Sequence, residues 1–458
     1  MKRSIKSLQL EHIKHGVYHC TLNPNQIDAI RIHLIPPKFK LFKNEPYIVI
    51  LNGYFLIPIG SSWAAILACY IEEMNAYEGR SISKENHNDI VNRTVEKICS
   101  IYLYVDKTTV FEHLDLILSV ITDVAFGNDP KVDIEKTSIR EYSSNMSAPH
   151  RMDLMVSAMT DCNGAWKCNQ KCVFCYAGGQ KLSSSKELST DEWKLIIDKL
   201  AKANIPMLTF TGGEPTLRND IDELIAYSKN FVTRLNTNGV KLTKELVDKL
   251  VKAELDSIQI TLYSSDENIH NELVGANNYK MTVQGIINAV EAGLSISINT
   301  PLCKLNANYA KTLEFIHSLG ISFVTISGII CTGAAKENHN KYDLDKDELF
   351  EIVKNAKEFC DSNSMEIDFT SPGLIRPELL ESINMNVPIC GASLSNMAIT
   401  PNGTVVPCQS WLSQDGALGN ILNDSFYKIW NHKKCKKLRH MSDNEAAICP
   451  FRKKREIS

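Results

Sequence analysis

Between Asp153 and about Ser364, short apolar runs alternate with amphipathic stretches of helical period, and no other feature of the chain narrows its fold so far. The runs Leu154 to Thr160, Met207 to Thr211, Phe231 to Asn236, Ser257 to Tyr263, Ser295 to Thr300 and Phe323 to Ser327 read as strands. Helical stretches lie around Trp193, Leu224, Leu246, Ile286, Phe315 and Phe350, the last within a long helix from Asp343 to about Asn363. Six β/α units predict an α/β protein built on a partial (β/α)6 barrel of the TIM type, with parallel strands. Such a barrel carries its chemistry at the C-terminal ends of its strands, so each motif is weighed by where it falls.

Directly after the first strand stands Cys168-Asn-Gln-Lys-Cys172-Val-Phe-Cys175. Three thiols this close can bind three corners of one metal cluster and leave a fourth corner without a protein ligand. Thiolates are soft ligands that select iron-sulfur clusters or zinc. Structural zinc asks for four closed ligands, usually as two separated pairs, and no second pair stands nearby, which favours iron and sulfur. The plain alternative is a set of reduced thiols without a partner. After the second strand comes Thr211-Gly212-Gly213-Glu214-Pro215, where two glycines permit close backbone approach and Glu214 offers a partner for a cation. Asn236-Thr237-Asn238-Gly239 follows the third strand, and Gln259-Ile-Thr261-Leu-Tyr263-Ser264 the fourth. Asn299 ends the fifth and Ser327-Gly328 the sixth. Strand-end capping and turn formation are the ordinary alternatives for such single polar residues.

At the cysteine loop the chain resembles the radical S-adenosylmethionine (SAM) superfamily, whose signature is CxxxCxxC with an aromatic beside the last cysteine, here Phe174 and Tyr176. The resemblance implies that Cys168, Cys172 and Cys175 are the catalytic residues and hold a 4Fe-4S cluster. SAM would chelate the open iron, and an electron would cleave it to a 5'-deoxyadenosyl radical, the cofactors carrying the hard step. It further implies that Gly212, Gly213 and Glu214, similar to a GGEP motif, take the methionine amino group of SAM. Phe174 and Asn238 would line the cofactor pocket, with Thr261 on the ribose and Asn299 a second ribose or carboxylate candidate. Two departures stand out: Tyr263 replaces an Asp common in related enzymes, and His270-Asn-Glu-Leu-Val274 lacks an Arg that many relatives use for the SAM carboxylate.

Cys390, followed by Asn402-Gly403-Thr-Val-Val-Pro-Cys408, resembles the opening of SPASM and twitch extensions, and Gly419-Asn420, Ile429-Trp430, Cys435 and Cys449-Pro450 continue it. The Asn402-Gly403 turn suits a hairpin that returns Cys408 toward Cys390. The resemblance implies one auxiliary 4Fe-4S cluster held by Cys390, Cys408, Cys449 and Cys435, a twitch-like set, with Arg452 where relatives carry a paired cysteine. If Cys435 is instead an ordinary helix-face cysteine, the auxiliary cluster keeps an open iron for a substrate thiolate. Cys162, Cys303 and Cys331 fall near predicted strand ends; Cys20, Cys69, Cys99 and Cys360 read as core or incidental.

Ahead of the barrel, strand-like Lys38 to Phe42, Tyr47 to Leu51 and Tyr54 to Ile57 precede helices over Trp63 to Ile71, His87 to Tyr102 and Val110 to Val120. The uncharged Tyr47 to Ile71 is long enough to span a membrane. It reads instead as a hairpin turning at Asn52-Gly53, broken at Pro58 and Gly60, with Ser61 or Ser62 capping the helix that follows. This element order is similar to the winged-helix module with which peptide-modifying radical SAM enzymes hold a leader peptide by strand addition. A packing or dimerisation domain is the alternative. The expected organisation is a winged-helix-like, leader-binding domain over 1–125, a linker over 126–150, the barrel over 151–364 and an iron-sulfur extension over 365–458.

A formal charge of -3 with mixed Lys, Arg, Asp and Glu gives no basic face, which disfavours nucleic acid. Fourteen cysteines, and a start (MKRSIKSLQLEHIKHG) without the apolar run of a secretory signal, point to a reducing cytoplasm. The expected function is a radical SAM maturase that modifies or cross-links a precursor peptide, supplied with electrons by an external one-electron reductant such as flavodoxin or ferredoxin. The alternatives are a radical SAM enzyme acting on a small molecule in antibiotic or cofactor synthesis, and a catalytically silent iron-sulfur protein.

Overall fold

The computed structural model describes residues 18–23, 29–37, 46–77, 83–102, 104–135, 137–142, 146–444 and 449. The chain divides into two compact units, one of residues 1–148 with 200–206 and 230–232, the other of the remainder.

In the first unit β1 (Tyr18–Leu22), β2 (Ile30–Ile35), β3 (Tyr47–Leu51) and β4 (Phe55–Ile59) form an antiparallel meander in that order. The β3–β4 hairpin turns at Asn52 and Gly53 with φ of 50° and 69°, the left-handed pair that a two-residue turn between twisted strands requires. Alternation puts Ile30, Ile32, Leu34, Tyr47, Val49, Leu51, Ile57 and Ile59 on one face. Helices Ser61–Asn75, Lys84–Ile101 and Lys107–Ala125 cover that face and share its core. The helix after β4 is capped differently from the expectation: Gly60 is the N-cap, and neither Ser61 nor Ser62 is. The strands β1 and β2 were not expected from the sequence; they are bounded by Asn23-Pro24 and Pro36-Pro37 rather than joined to a neighbour by an Asn-Gly turn. The expected strand from Lys38 to Phe42 lies outside the described residues.

The second unit is built on a ten-stranded sheet of order β11-β10-β9-β8-β7-β6-β5-β12-β13-β14. Its strands are β5 (Arg151–Ser157), β6 (Met207–Gly212), β7 (Val232–Thr237), β8 (Ser257–Thr261), β9 (Ile296–Pro301), β10 (Phe323–Ser327), β11 (Glu366–Phe369), β12 (Asn396–Ile399), β13 (Thr404–Val406) and β14 (Gly419–Asn420). The helices between successive strands from β5 to β11 make this the mixed α/β, partial-barrel architecture expected. Three details differ. The first strand begins three residues earlier, because Arg151 and Asp153 pair with each other at 2.9 Å and so enter the sheet despite their charge. A seventh strand, β11, follows the long helix Lys346–Ser362; its charged, four-residue sequence hid it. The hairpin β12–β13 of the C-terminal region joins the same sheet, β12 pairing parallel to β5.

Leu154, Leu208, Leu235, Ile258, Ile298 and Val324 alternate outward and are fully buried. The opposite face is polar. Gln259 Nε2 donates to Thr325 Oγ1 (3.2 Å), which donates to Asn299 Oδ1 (3.0 Å) across β8, β9 and β10. Arg234 on β7 senses Asp153 on β5 and Asp368 on β11, two and four places away in the strand order, so the sheet curls and its polar face lines a lumen.

Candidate functional site

The cysteine loop leaves the end of β5 and is fixed by backbone bonds. Lys171 N donates to Val274 O (2.9 Å) and Val173 N to Leu273 O (3.0 Å), tying the loop to the end of helix Glu267–Val274. That helix stops at Gly275 (φ 61°), where an added Cβ would stand 2.6 Å from the Lys171 carbonyl oxygen. On the other side Ala334 N donates to Cys175 O at 3.0 Å, and a Cβ at Gly333 would lie 2.4 Å from that same oxygen. Neither glycine announced itself in the sequence, because each is required by a neighbour distant along the chain.

Cys168, Cys172 and Cys175 are free thiols, and Cys172 lies within electrostatic reach of the other two. Burial raises all three, Cys168 to about 12, so the thiolates need a compensating cation. Among the described residues no set of His, Cys, Asp and Glu gathers around a single metal ion. A multi-iron cluster takes each thiolate at a different corner, and a partly buried all-sulfur donor set fits that group.

Glu214 is 2 % exposed and spends its carboxylate on the protein. Its Oε1 accepts from Thr216 N (3.0 Å), Thr216 Oγ1 (2.5 Å) and Thr237 Oγ1 (2.6 Å), its Oε2 from Asn238 N (2.9 Å). Burial outweighs these bonds and lifts its pKa above the ordinary carboxylate value. Asn238 Nδ2 continues the chain to Asn169 Oδ1 at 2.7 Å, and the Cys168 thiol donates to Gly213 O at 3.5 Å. Glu214 thus locks the turns after β6 and β7 to the cysteine loop. Gly212 and Gly213 serve the same packing, since Cβ atoms there would lie 2.4 Å from Ser157 O and 2.6 Å from Ala158 O. A cavity of about 350 Å³ opens beside Glu214, lined also by Ser157, Lys167, Glu187, Arg218 and Asp220. Its charges are mutually satisfied, Lys167 with Glu187 and Arg218 with Asp220, each at 2.7 Å.

Thr261 ends β8 in register with Asn299 on β9, facing the lumen network. Phe174 turns away from it into an apolar cluster with Tyr263, Leu273, Val274 and Ile329, edge-on to Tyr342 at 5.3 Å. Tyr263, flagged in the sequence only as a departure, packs against Cys172 in that cluster.

The C-terminal cysteines fall into two environments. Cys408 lies within electrostatic reach of Cys390 and Cys449, and burial raises its thiol to about 12. Cys435 is fully buried beside Ser393 and Arg439, whose guanidinium reaches its sulfur at 3.8 Å and stacks 3.6 Å over the Trp430 ring. The two cysteine regions meet through Tyr176 and its neighbours. Tyr176 Oη donates to Gln409 Oε1 (3.4 Å), and Gln180 Nε2 donates to Ser410 O (3.0 Å).

Comparisons with known proteins agree with this geometry. Residues 167–319 match the radical SAM superfamily and residues 390–451 match SPASM, an iron-sulfur cluster-binding domain. The mycofactocin maturase MftC of Mycolicibacterium smegmatis is 27% identical over 58% of this chain and 68% of that protein. An AdoMet-dependent heme synthase of Methanosarcina barkeri is 27% identical over 63% of this chain and 88% of that protein. Among solved structures, Streptococcus suis SuiB bound to its precursor peptide SuiA shares the fold, with a TM-score of 0.59 at 16% identity over 86% of this chain and 88% of that one. Radical SAM domains take SAM and a 4Fe-4S cluster, SPASM domains further iron-sulfur clusters, and the donor sets described above suit them. No helix among the described residues is long and apolar enough to cross a membrane. The chain thus carries a radical SAM domain over residues 167–319 and a SPASM iron-sulfur domain over residues 390–451.

Proposed function

We propose that the protein is a peptide maturase. The observation that carries this reading is the presence, within one unit, of two separate thiol sets whose loops contact each other through Tyr176 and Gln409. In this reading Cys168, Cys172 and Cys175 hold the catalytic cluster and Cys390, Cys408 and Cys449 an auxiliary one. Cys435 stands apart beside Arg439 as a packing residue. When bound, the cofactors supply a 5'-deoxyadenosyl radical that takes a hydrogen atom from a residue of a precursor peptide, with an auxiliary electron acceptor for the oxidation that leaves a modified or cross-linked residue.

The chain's own residues prepare the place. Glu214, Asn238 and Asn169 fix the cysteine loop, and Thr261 and Asn299 present polar groups at the lumen mouth for SAM. The antiparallel sheet of the first unit holds the peptide leader by strand addition. A flavodoxin or ferredoxin of the cytoplasm delivers the electron. The likeness to maturases such as MftC supports this reading.

The test is incubation of the full chain with SAM, a low-potential reductant and each short peptide encoded beside its gene. Formation of 5'-deoxyadenosine together with a peptide lighter by two hydrogens is expected. Brisk SAM cleavage with every such peptide unchanged would favour the second reading, chemistry on a small molecule, for which the likeness covering 88% of a heme synthase speaks.

A further inference from the structure

Gln170 stands inside the cysteine loop, two residues before Cys172, and is 5 % exposed. Trp166 Nε1 donates to its carbonyl oxygen at 2.9 Å and holds the backbone there. Its amide nitrogen donates to Asn278 Oδ1 at 3.0 Å, and its amide oxygen accepts from the Cys172 thiol at 3.6 Å, a hydrogen-bonding length for the larger sulfur atom. Asn278 is also buried and is held through its backbone, since its N–H and that of Tyr279 both donate to Asn271 Oδ1, at 3.1 and 3.0 Å. Although Asn278 precedes helix Tyr279–Glu291, its side chain makes no cap bond, and among the described residues its Nδ2 donates to nothing.

A cysteine sulfur bound to iron has given up its proton to solvent, so it can only accept. Beside it the Gln170 oxygen would set acceptor against acceptor in a buried place, where an unpaired polar atom is costly. Turning the amide by half a rotation exchanges oxygen for nitrogen at nearly the same position. Asn278 can turn with it, because its Nδ2 then donates to the Gln170 oxygen and no other side-chain bond is lost. We propose that Gln170 is a positioning residue whose amide nitrogen, oriented by Asn278, donates to Cys172 Sγ in the cluster-loaded protein and raises the reduction potential of the catalytic cluster. This rests on the reading of Cys172 as a cluster ligand. Hydrogen bonds to ligating sulfur are one of the levers that set iron-sulfur potentials. The added electron makes the sulfur a better acceptor, so the bond stabilises the reduced state more than the oxidised one.

The test is a redox titration of the reconstituted full-length protein followed by electron paramagnetic resonance, the catalytic signal being the one that changes on adding SAM. Gln170→Met keeps the length of the side chain and removes the donor. It is expected to retain iron and to make reduction of that signal roughly tenfold less favourable, about 59 mV lower for a one-electron couple. Asn278→Leu breaks the same Gln170–Asn278 bond but leaves the amide beside the sulfur, and is expected to leave the potential where it was. An equal fall in both variants would make the pair a structural bond and overturn the proposal. A Gln170→Met protein with full iron and the wild-type potential would also overturn it, while sparing Cys172 as a ligand. If Gln170→Met loses iron, the double variant Gln170→Met/Asn278→Leu decides, since it removes both partners and leaves neither amide unpaired. It is expected to hold iron at the lowered potential; the wild-type potential, or loss of iron there too, would overturn the proposal. Full iron after Cys168, Cys172 and Cys175 are all replaced by Ala would overturn the ligand reading itself.

Discussion

The two thiol sets of the second unit are assembled in opposite ways. Cys168, Cys172 and Cys175 share one loop whose shape is fixed by backbone bonds to Val274, Leu273 and Ala334. Cys390, Cys408 and Cys449 are scattered along the C-terminal region, and Cys408 is brought within reach of the others by the β12–β13 hairpin and the segment after it. Closing a long loop costs more chain entropy than closing a short one. The first set is therefore nearly assembled by local structure, whereas a metal cluster held by the second would be coupled to the folding of the segment that carries it. The first set also reads its surroundings through fixed neighbours, Tyr263 at Cys172 and Gly213 at Cys168.

Replacing Cys168, Cys172 and Cys175 together by Ala gives the largest expected effect. SAM cleavage is lost, and iron falls from about eight to about four per chain, as expected of two cysteine-held 4Fe-4S clusters. Mössbauer spectra and iron analysis after anaerobic reconstitution check it; about four irons in the wild type, all lost in the variant, would remove the second set from the comparison. Cys408→Ala is the converse, sparing 5'-deoxyadenosine formation while the oxidised peptide disappears. Loss of SAM cleavage in that variant would show that the two sets are not separable.

Gly275→Ala probes the scaffold of the first set alone. The left-handed backbone and the 2.6 Å approach to the Lys171 carbonyl make even a methyl group costly, by at least ~1 kcal/mol. Urea unfolding of the metal-free protein should show the loss, and reconstitution should show iron reduced at the catalytic signal only. The smallest effect is expected for Cys435→Ala. A small buried side chain is removed, at about 1 kcal/mol, with iron content unchanged. A drop of iron in Cys435→Ala would make Cys435 a ligand and the second set a four-thiol site.

Much of the barrel was legible because alternating apolar runs and amphipathic helices have distinct periods, and strands β6 to β10 fall within two residues of where those periods put them. Strand β11 was hidden since Glu366 and Asp368 are charged yet serve a sheet edge whose polar face opens on the lumen. The nearness of Cys168, Cys172 and Cys175 was legible, as spacing along a short loop is a local property, whereas Gly275 and Gly333, which fix that loop, were not. The role of Gly212, Gly213 and Glu214 was only half legible. Their sequence reads as a ligand cradle, whereas their packing partners are Ser157, Ala158, Thr237 and Asn238. Tyr263 could be noticed as an exception but not given a neighbour, because Cys172 lies on a separate loop.

The sequence by itself determined which atoms can hold iron in the first set, the β/α rhythm that carries them, and the hairpin at Asn52-Gly53, since each follows from residues within a few positions of one another. Tertiary structure alone decided that Cys435 turns to Arg439, away from the Cys408 neighbourhood that Cys390 and Cys449 share, that the C-terminal hairpin extends the barrel sheet beside β5, and that Tyr263 belongs to the apolar cluster against which Cys172 packs. These depend on contacts between residues far apart in the chain, whose meeting is set by the packing of whole elements and leaves no mark on local spacing.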